Sequence, residues 1–265
     1  MKSLIALIFA VLAFTAKAQP FSPRDRTMSG LLGQLNSTNS NVNLTTGLLA
    51  YWKFDESSGA TASDSNGGTN TLTYPSPPPT MFFTGGHTGN YYTNAGSYGL
   101  SNMLAKGLPA FGGTVHGSSY SFWINLPPSP SGYFYGEAGA ASANYYPEFR
   151  VSVSSARHLS IDIYDDAGNT VEGLTSGGLL PTNVWTHVVL TYDTAGNHKV
   201  YTNNVVDASI STITIAGRTF TANVSGVGSY YNQGAWQGAT NIRVDEFRIY
   251  NIVLTTNQVA ALYAQ

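Results

Sequence analysis

The sequence predicts an all-β domain whose antiparallel strands form a two-sheet sandwich or a barrel, and three observations carry that reading. From Gly47 onward apolar residues recur with a period of two. Turn-forming residues punctuate those runs at short intervals. Within that span helical spacing is confined to one short stretch near residue 260.

The first alternating run sets Tyr120, Phe122, Ile124 and Leu126 against Ser119, Ser121, Trp123 and Asn125. In the second, Phe149, Val151 and Val153 alternate with Arg150, Ser152 and Ser154. The third places Leu159, Ile161 and Ile163 between Ser160, Asp162 and Tyr164. A fourth runs through Val188, Leu190 and Tyr192, with His187, Val189 and Thr191 between. One apolar and one mixed face is what a strand covered on one side requires. The stretch 193–197, DTAGN, links two runs. Asn203-Asn204 suits a two-residue hairpin, because Asn tolerates positive φ. The proline-rich stretch 75–79 cannot pair within a sheet and is expected as a surface loop. Thr255 and Gln258 have capping-box spacing, and Val259, Leu262 and Tyr263 follow at helical intervals, which predicts one short helix.

Residues 1–18 read as a cleavable signal peptide. Lys2 supplies the basic start, residues 4–15 an apolar run too short to span a bilayer, and Ala16-Lys17-Ala18 a small-x-small cleavage site. Export to the periplasm, cell surface or medium is therefore expected, with no membrane insertion of the mature chain. Residues 19–46 are Ser/Thr/Asn-rich and read as a poorly ordered lead-in. The domain is expected over 47–265, and roughly 220 residues bury about 70% of their unfolded surface, enough for one core. There is no cysteine, so disulfides, thiolate metal sites and cysteine nucleophiles are excluded. Loss of the leader leaves ten basic against fourteen acidic residues, a net charge of about −4. With no basic stripe, that balance argues against nucleic acid or an anionic membrane as partner.

Four blocks carry a resemblance. They are GLLAYWKFDE at 47–56 with the DSNGG turn at 64–68, SYSFWI at 119–124, VWTHVVLTYD at 184–193, and VDEFRIYN at 244–251 followed by the helix. In this order they resemble laminin-G-like domains of the concanavalin A-like lectin/glucanase superfamily. The resemblance implies a two-sheet jelly-roll sandwich with one short C-terminal helix and with first and last strands adjacent. It also implies structural roles for Trp52, Trp123 and Trp185, and a core position for Trp236. It does not imply a ligand.

Members often hold calcium between the opening turn and the closing strand. Carried over by position, the ligands would be Asp64, Asn66 or Asn70, and Asp245, the oxygen donors that calcium prefers. The residues add a hint of their own. Ile242 and Val244 share one parity while Phe247 and Ile249 have the other, which predicts a β-bulge at Asp245-Glu246. The bland alternative has Asp245 capping backbone amides and Glu246 pairing with Arg248 or Arg243.

Saccharides stack on exposed rings while amides and hydroxyls bind their rims. Tyr230, Tyr231, Asn232 and Gln233, with Trp236 nearby, have that chemistry in an expected loop; Tyr91-Tyr92, residues 133–135 and Tyr145-Tyr146 offer similar surfaces. Adjacent tyrosines on a strand, however, ordinarily put one ring in each face. Glycoside hydrolysis needs two apposed carboxylates. The Glu-x-Asp-x-x-Glu pattern of the superfamily's hydrolases is absent, and of the nearest cluster, Asp162, Asp165 and Asp166, the first faces out and the others suit a turn. The expected function is thus a secreted, non-catalytic recognition or adhesion module, carbohydrate-binding first. The alternatives are a structural or protein-interaction component of an envelope, extracellular or virion assembly, and, least favoured, a degenerate hydrolase.

Overall fold

The computed structural model describes residues 42–74, 81–93, 100–102, 117–130, 132–139, 147–165, 170–193, 195, 197–210, 222–232, 235–238 and 242–265. The expected leader, most of the lead-in and the proline loop at 75–79 lie outside these residues, which all belong to one compact unit, 42–265.

In chain order the described strands begin with β1 (Leu48–Trp52), β2 (Thr61–Ala62), β3 (Leu72–Thr73), β4 (Phe82–Thr84), β5 (Asn90–Thr93) and β6 (Leu100–Asn102). The long strands follow: β7 (Ser118–Asn125), β8 (Gly132–Gly139), β9 (Pro147–Val153), β10 (Leu159–Tyr164), β11 (Thr170–Thr175) and β12 (Trp185–Tyr192). Then come β13 (His198–Thr202), β14 (Val205–Ile210), β15 (Ala222–Val227), β16 (Ser229–Asn232), β17 (Ala235–Gly238), β18 (Arg243–Tyr250) and the helix α1 (Thr256–Tyr263). The first sheet has the order β14-β13-β12-β7-β18-β5-β4, with β1 also on β18; the second is β11-β10-β9-β8-β15-β6-β3-β2, and β16-β17 form a separate ribbon.

The two sheets close on one core, as the alternation predicts. Phe122, Val188, Phe247 and Ile249 of the first sheet and Phe134, Phe149, Val151 and Ile161 of the second belong to a single buried cluster. Rings stitch the layers together: Tyr120 stacks on Phe149 with centroids 4.7 Å apart, Phe122 meets Phe134 at 5.0 Å, and Tyr135 meets Phe247 at 4.9 Å. Each such ring removes about 150–250 Å² from water, which lets the core stand without covalent staples.

First and last strands are adjacent, β1 pairing antiparallel with β18. The bulge read from the parity change is present: the β18–β7 register shifts between Asp245 and Arg248, and Glu246 has φ 53°. There β18 changes neighbours on its other edge, from β5 at Arg243 and Val244 to β1 from Phe247 onward. Asn203 and Asn204 turn β13 into β14 with φ of 47° and 65°. Thr255 caps α1, its hydroxyl accepting from the Gln258 amide while the Gln258 side chain accepts from Thr255 N, the predicted capping box. Val259 and Leu262 of α1 pack on Val189, Tyr201 and Tyr250, so the helix covers part of the first sheet's outer face. Residues 42–46, expected in the lead-in, belong to the fold: Leu44 packs against that cluster and the Asn43 carbonyl accepts from Gln258 Nε2 at 3.1 Å.

Candidate functional site

On β9 and β10 the core takes Phe149, Val151, Leu159, Ile161 and Ile163, so Arg150, Ser152, Ser160, Asp162 and Tyr164 face outward. Register converts that alternation into a site. Arg150 lies directly opposite Asp162, and Tyr133 of β8 opposite Ser152. Arg150 Nε donates to Asp162 Oδ2 at 2.8 Å and Arg150 Nη2 donates to Tyr164 Oη at 2.6 Å. The guanidinium lies 5.1 Å from the centre of the Tyr133 ring and 5.0 Å from that of Tyr164. Burial disfavours the Arg150 charge, but the bond to Asp162 and the neighbouring oxygens outweigh it and hold Arg150 above its ordinary value. Burial likewise raises the Tyr164 hydroxyl, with Asp162 adding and Arg150 opposing.

The pair keeps about a fifth of its side-chain surface exposed, 19% for Arg150 and 20% for Asp162. Its flanks in the same cross-strand row are glycines, Gly136 on β8 and Gly173 on β11. This row, with a charged pair at its centre and glycines on its flanks, is bordered by two tyrosines and by Ser152 and Ser160; Gly136 is buried, so the accessible part of the trough is the pair itself and the rings beside it. Such a trough can offer ring faces, donors and an acceptor to a polyhydroxylated ring.

The expected binding loop is a hairpin instead. Ser229–Asn232 and Ala235–Gly238 pair antiparallel with Tyr231 opposite Trp236, Tyr230 opposite Gln237 and Asn232 opposite Ala235, while Gln233 lies outside the described residues. These two strands form a ribbon separate from both sheets. Its backbone packs along β8 and reaches β9, the strands of Tyr133 and Arg150. The entry is Gly228, with φ 79°, whose N–H donates to Phe134 O at 2.6 Å. A Cβ there would stand 2.5 Å from Tyr92 Oη.

The tryptophans divide. Trp52 is fully buried in the core, as expected. Trp123 is 5% exposed but faces outward, covered by His87 at 3.4 Å between ring centres and by Tyr263 at 5.8 Å. Trp185 is half-buried on the same outer face, its indole N–H donating to Gly85 O at 3.3 Å. The strand alternation around it puts Thr186 and Val188 inward, so its place in the signature does not make it a core residue.

Of the four positions carried over for calcium, three meet in the opening turn. Asp64 Oδ1 accepts from the amides of Tyr51 and Asn66 at 3.1 and 3.0 Å, and Oδ2 accepts from Asn70 Nδ2 at 3.1 Å. Asn66 and Asn70 also donate to the carbonyls of Leu48 and Leu49. Asp245 answers other donors: Oδ2 takes the Thr88 amide at 3.0 Å and Oδ1 the Glu246 amide at 2.8 Å. Burial, reinforced by Glu246, raises Asp245 to about 7 against the pull of those amides. Among the described residues no group of three or more His, Cys, Asp or Glu is placed to hold a metal ion. Glu246 pairs with Arg248 at 2.7 Å and accepts from Tyr51 Oη, with the Arg248 guanidinium 3.9 Å above the Tyr51 ring.

Alternation alone had put Arg150, Asp162 and Tyr164 on an outward face. Their grouping rests on the β9–β10 register, which no local sequence signal encodes.

Comparison with known proteins agrees with this architecture. Residues 106–260 match the family described as the concanavalin A-like lectin/glucanases superfamily. No curated protein matches the chain. Among solved structures, the receptor-binding domain of botulinum neurotoxin type G is similar with a TM-score of 0.57 and 14% identity, over 83% of this chain and 51% of that one. That of the mosaic serotype C/D neurotoxin gives 0.61 and 12%, over 84% and 51%. The serotype D ligand-binding domain in complex with N-acetylneuraminic acid gives 0.56 and 12%, over 83% and 51%. The chain spans about half the length of these domains, and at such identities the likeness is one of fold.

Proposed function

The chain belongs to the concanavalin A-like lectin/glucanase superfamily, and from that premise we propose that it is a non-catalytic carbohydrate-recognition module. Its ligand lies across Tyr133, Arg150, Asp162 and Tyr164. The observation that carries the reading is the outward Arg150–Asp162 pair set between two tyrosine rings and flanked in its row by Gly136 and Gly173. A glycan laid in that trough would stack a ring face on tyrosine, accept from Arg150 and donate to Asp162. Asp162 is bound to the Arg150 guanidinium, which supports gripping rather than acid–base cleavage, a chemistry that needs two apposed carboxylates.

A glycan array with the full chain, followed by titration of the best hit, tests this. Saturable binding that Arg150→Ala weakens at least tenfold supports the reading. An array without saturable binders, or a hit indifferent to Arg150→Ala, refutes it.

Two further parts of the reading are proposals of their own. Export rests on the leader-like residues 1–18, and amino-terminal sequencing of the protein from its native host would show Gln19 first. Calcium would have to draw Asp64 and Asp245, now engaged with separate donors, into one shell with Asn66 or Asn70. A rise in melting temperature when the metal-stripped chain is titrated with calcium would support it, and no change at millimolar calcium would discard it.

A further inference from the structure

We infer that the outer face of the first sheet carries a second, independent saccharide site, built from Tyr91, Thr93, Asn125, Trp185 and Arg243 with Phe83 at its edge, and that its ligand bears a carboxylate. The residues come from five strands. Thr93, Arg243, Asn125 and Trp185 lie in one cross-strand row through β5, β18, β7 and β12. Phe83 faces Tyr91 across β4 and β5. Their strand neighbours Phe82, Tyr92, Ile124 and Val244 are in the core, so this set points away from it. The helix covers the region around Tyr250 and Val189 further along the same strands.

Three features make this grouping a site. First, it displays rings: Phe83 is 37% exposed, Tyr91 and Trp185 are half-buried, and their centres are 5.7 and 5.8 Å apart in sequence along the face. Second, Arg243 rests 5.6 Å from the Tyr91 ring, and among the described residues no carboxylate pairs with it. A guanidinium held against a ring with its fork unanswered is a ready partner for a planar carboxylate. Third, Asn125 Oδ1 and Thr93 Oγ1 are buried without a hydrogen-bond partner among the described residues, and Asn125 as a whole is only 5% exposed. Uncompensated buried acceptors are costly, and hydroxyl donors from a ligand would relieve them. Ring faces for a pyranose, acceptors for its hydroxyls and a cation for an acid group together specify an acidic sugar, a uronate or a sialate.

This site stands on the opposite sheet from the Arg150 trough, so the two are separable. Calorimetric titration of the full chain would use trigalacturonate, its carboxyl-reduced counterpart and a sialylated trisaccharide. Variants would be Arg243→Gln, the isosteric Asn125→Asp, which sets a carboxylate beside Arg243, and Arg150→Ala, each checked for cooperative melting. The proposal is supported if either acidic sugar binds saturably and Arg243→Gln and Asn125→Asp each weaken it at least tenfold, in the wild-type and in the Arg150→Ala background alike. The size of that loss is what one charge-assisted contact carries. It is overturned if neither acidic sugar binds at millimolar concentration, if the carboxyl-reduced sugar binds as well, or if the two variants of this face leave binding intact. Failure here leaves the trough untouched, and loss on Arg150→Ala alone would assign the ligand to the trough.

Discussion

Glu137 is the residue whose charge should dominate the stability profile between pH 5 and pH 8. It is 1% exposed, between the sheets, and its Oε1 accepts from Tyr135 Oη at 2.5 Å and Tyr120 Oη at 3.1 Å. Oε2 has no hydrogen-bond partner among the described residues. Burial raises its pKa from 4.5 to about 8, against the lowering effect of the two tyrosine hydrogen bonds. The native state therefore keeps the proton in a range where the unfolded chain has released it. Its favourable contribution is complete below pH 4.5 and is lost as pH rises through about 8. Over the three pH units from 5 to 8, at about 1.4 kcal/mol each, the loss comes to roughly 4 kcal/mol. Glu137→Gln removes the titration while retaining an acceptor for the tyrosines. Urea denaturation of both proteins at pH 5 and pH 8 is the assay. Whatever the amide costs in packing is common to both pH values, so the change in the difference between the proteins isolates the proton. The variant should gain about 4 kcal/mol on wild type between pH 5 and pH 8, and parallel profiles would refute the reasoning.

Other consequences follow from the same geometry. His187 is 1% exposed and burial, aided by Arg248 and His87, lowers it to about 3, so the unfolded chain protonates first and this residue's contribution to stability is lost as pH falls from about 6.5 toward 3; an NMR titration should show its ring neutral down to pH 4. Gly228→Ala should destabilise by about 1–3 kcal/mol in chemical denaturation, because φ is 79° and a Cβ would strike the Tyr92 ring. Thr255→Ala deletes the helix cap and should cost about 1 kcal/mol in the same assay, with no effect on glycan affinity. Tyr164→Phe removes the hydroxyl that accepts from Arg150 while keeping the ring, and should weaken glycan binding in calorimetry less than Arg150→Ala does.

Most of the fold was legible because its signals are local. The alternating runs at 119–126, 149–153, 159–164 and 187–192 correspond to β7, β9, β10 and β12, and the parity change at Asp245-Glu246 marks a real bulge. The Thr255–Gln258 cap and the Asn203-Asn204 turn depend on residues within three positions of each other. What stayed hidden depends on register between strands. Arg150 and Asp162 are twelve residues apart and could each have met another partner, and Arg243, Asn125 and Trp185 join one row across three separate stretches of chain. Trp185 reads as structural because its stretch resembles a core strand of the family, yet its neighbours Thr186 and Val188 take the inward face. The stretch from Tyr230 to Gln233, with Trp236 nearby, reads as a loop because its Tyr, Asn and Gln residues carry no period-two contrast, and among the described residues β16 pairs with β17 alone.

The most direct test of the trough is an NMR titration of the isotope-labelled chain with the tightest-binding glycan from the array. The account predicts saturable shifts centred on the amides of residues 133, 150, 162 and 164, with the α1 amides unmoved. Shifts centred on any other surface, or none at saturating glycan, would contradict it.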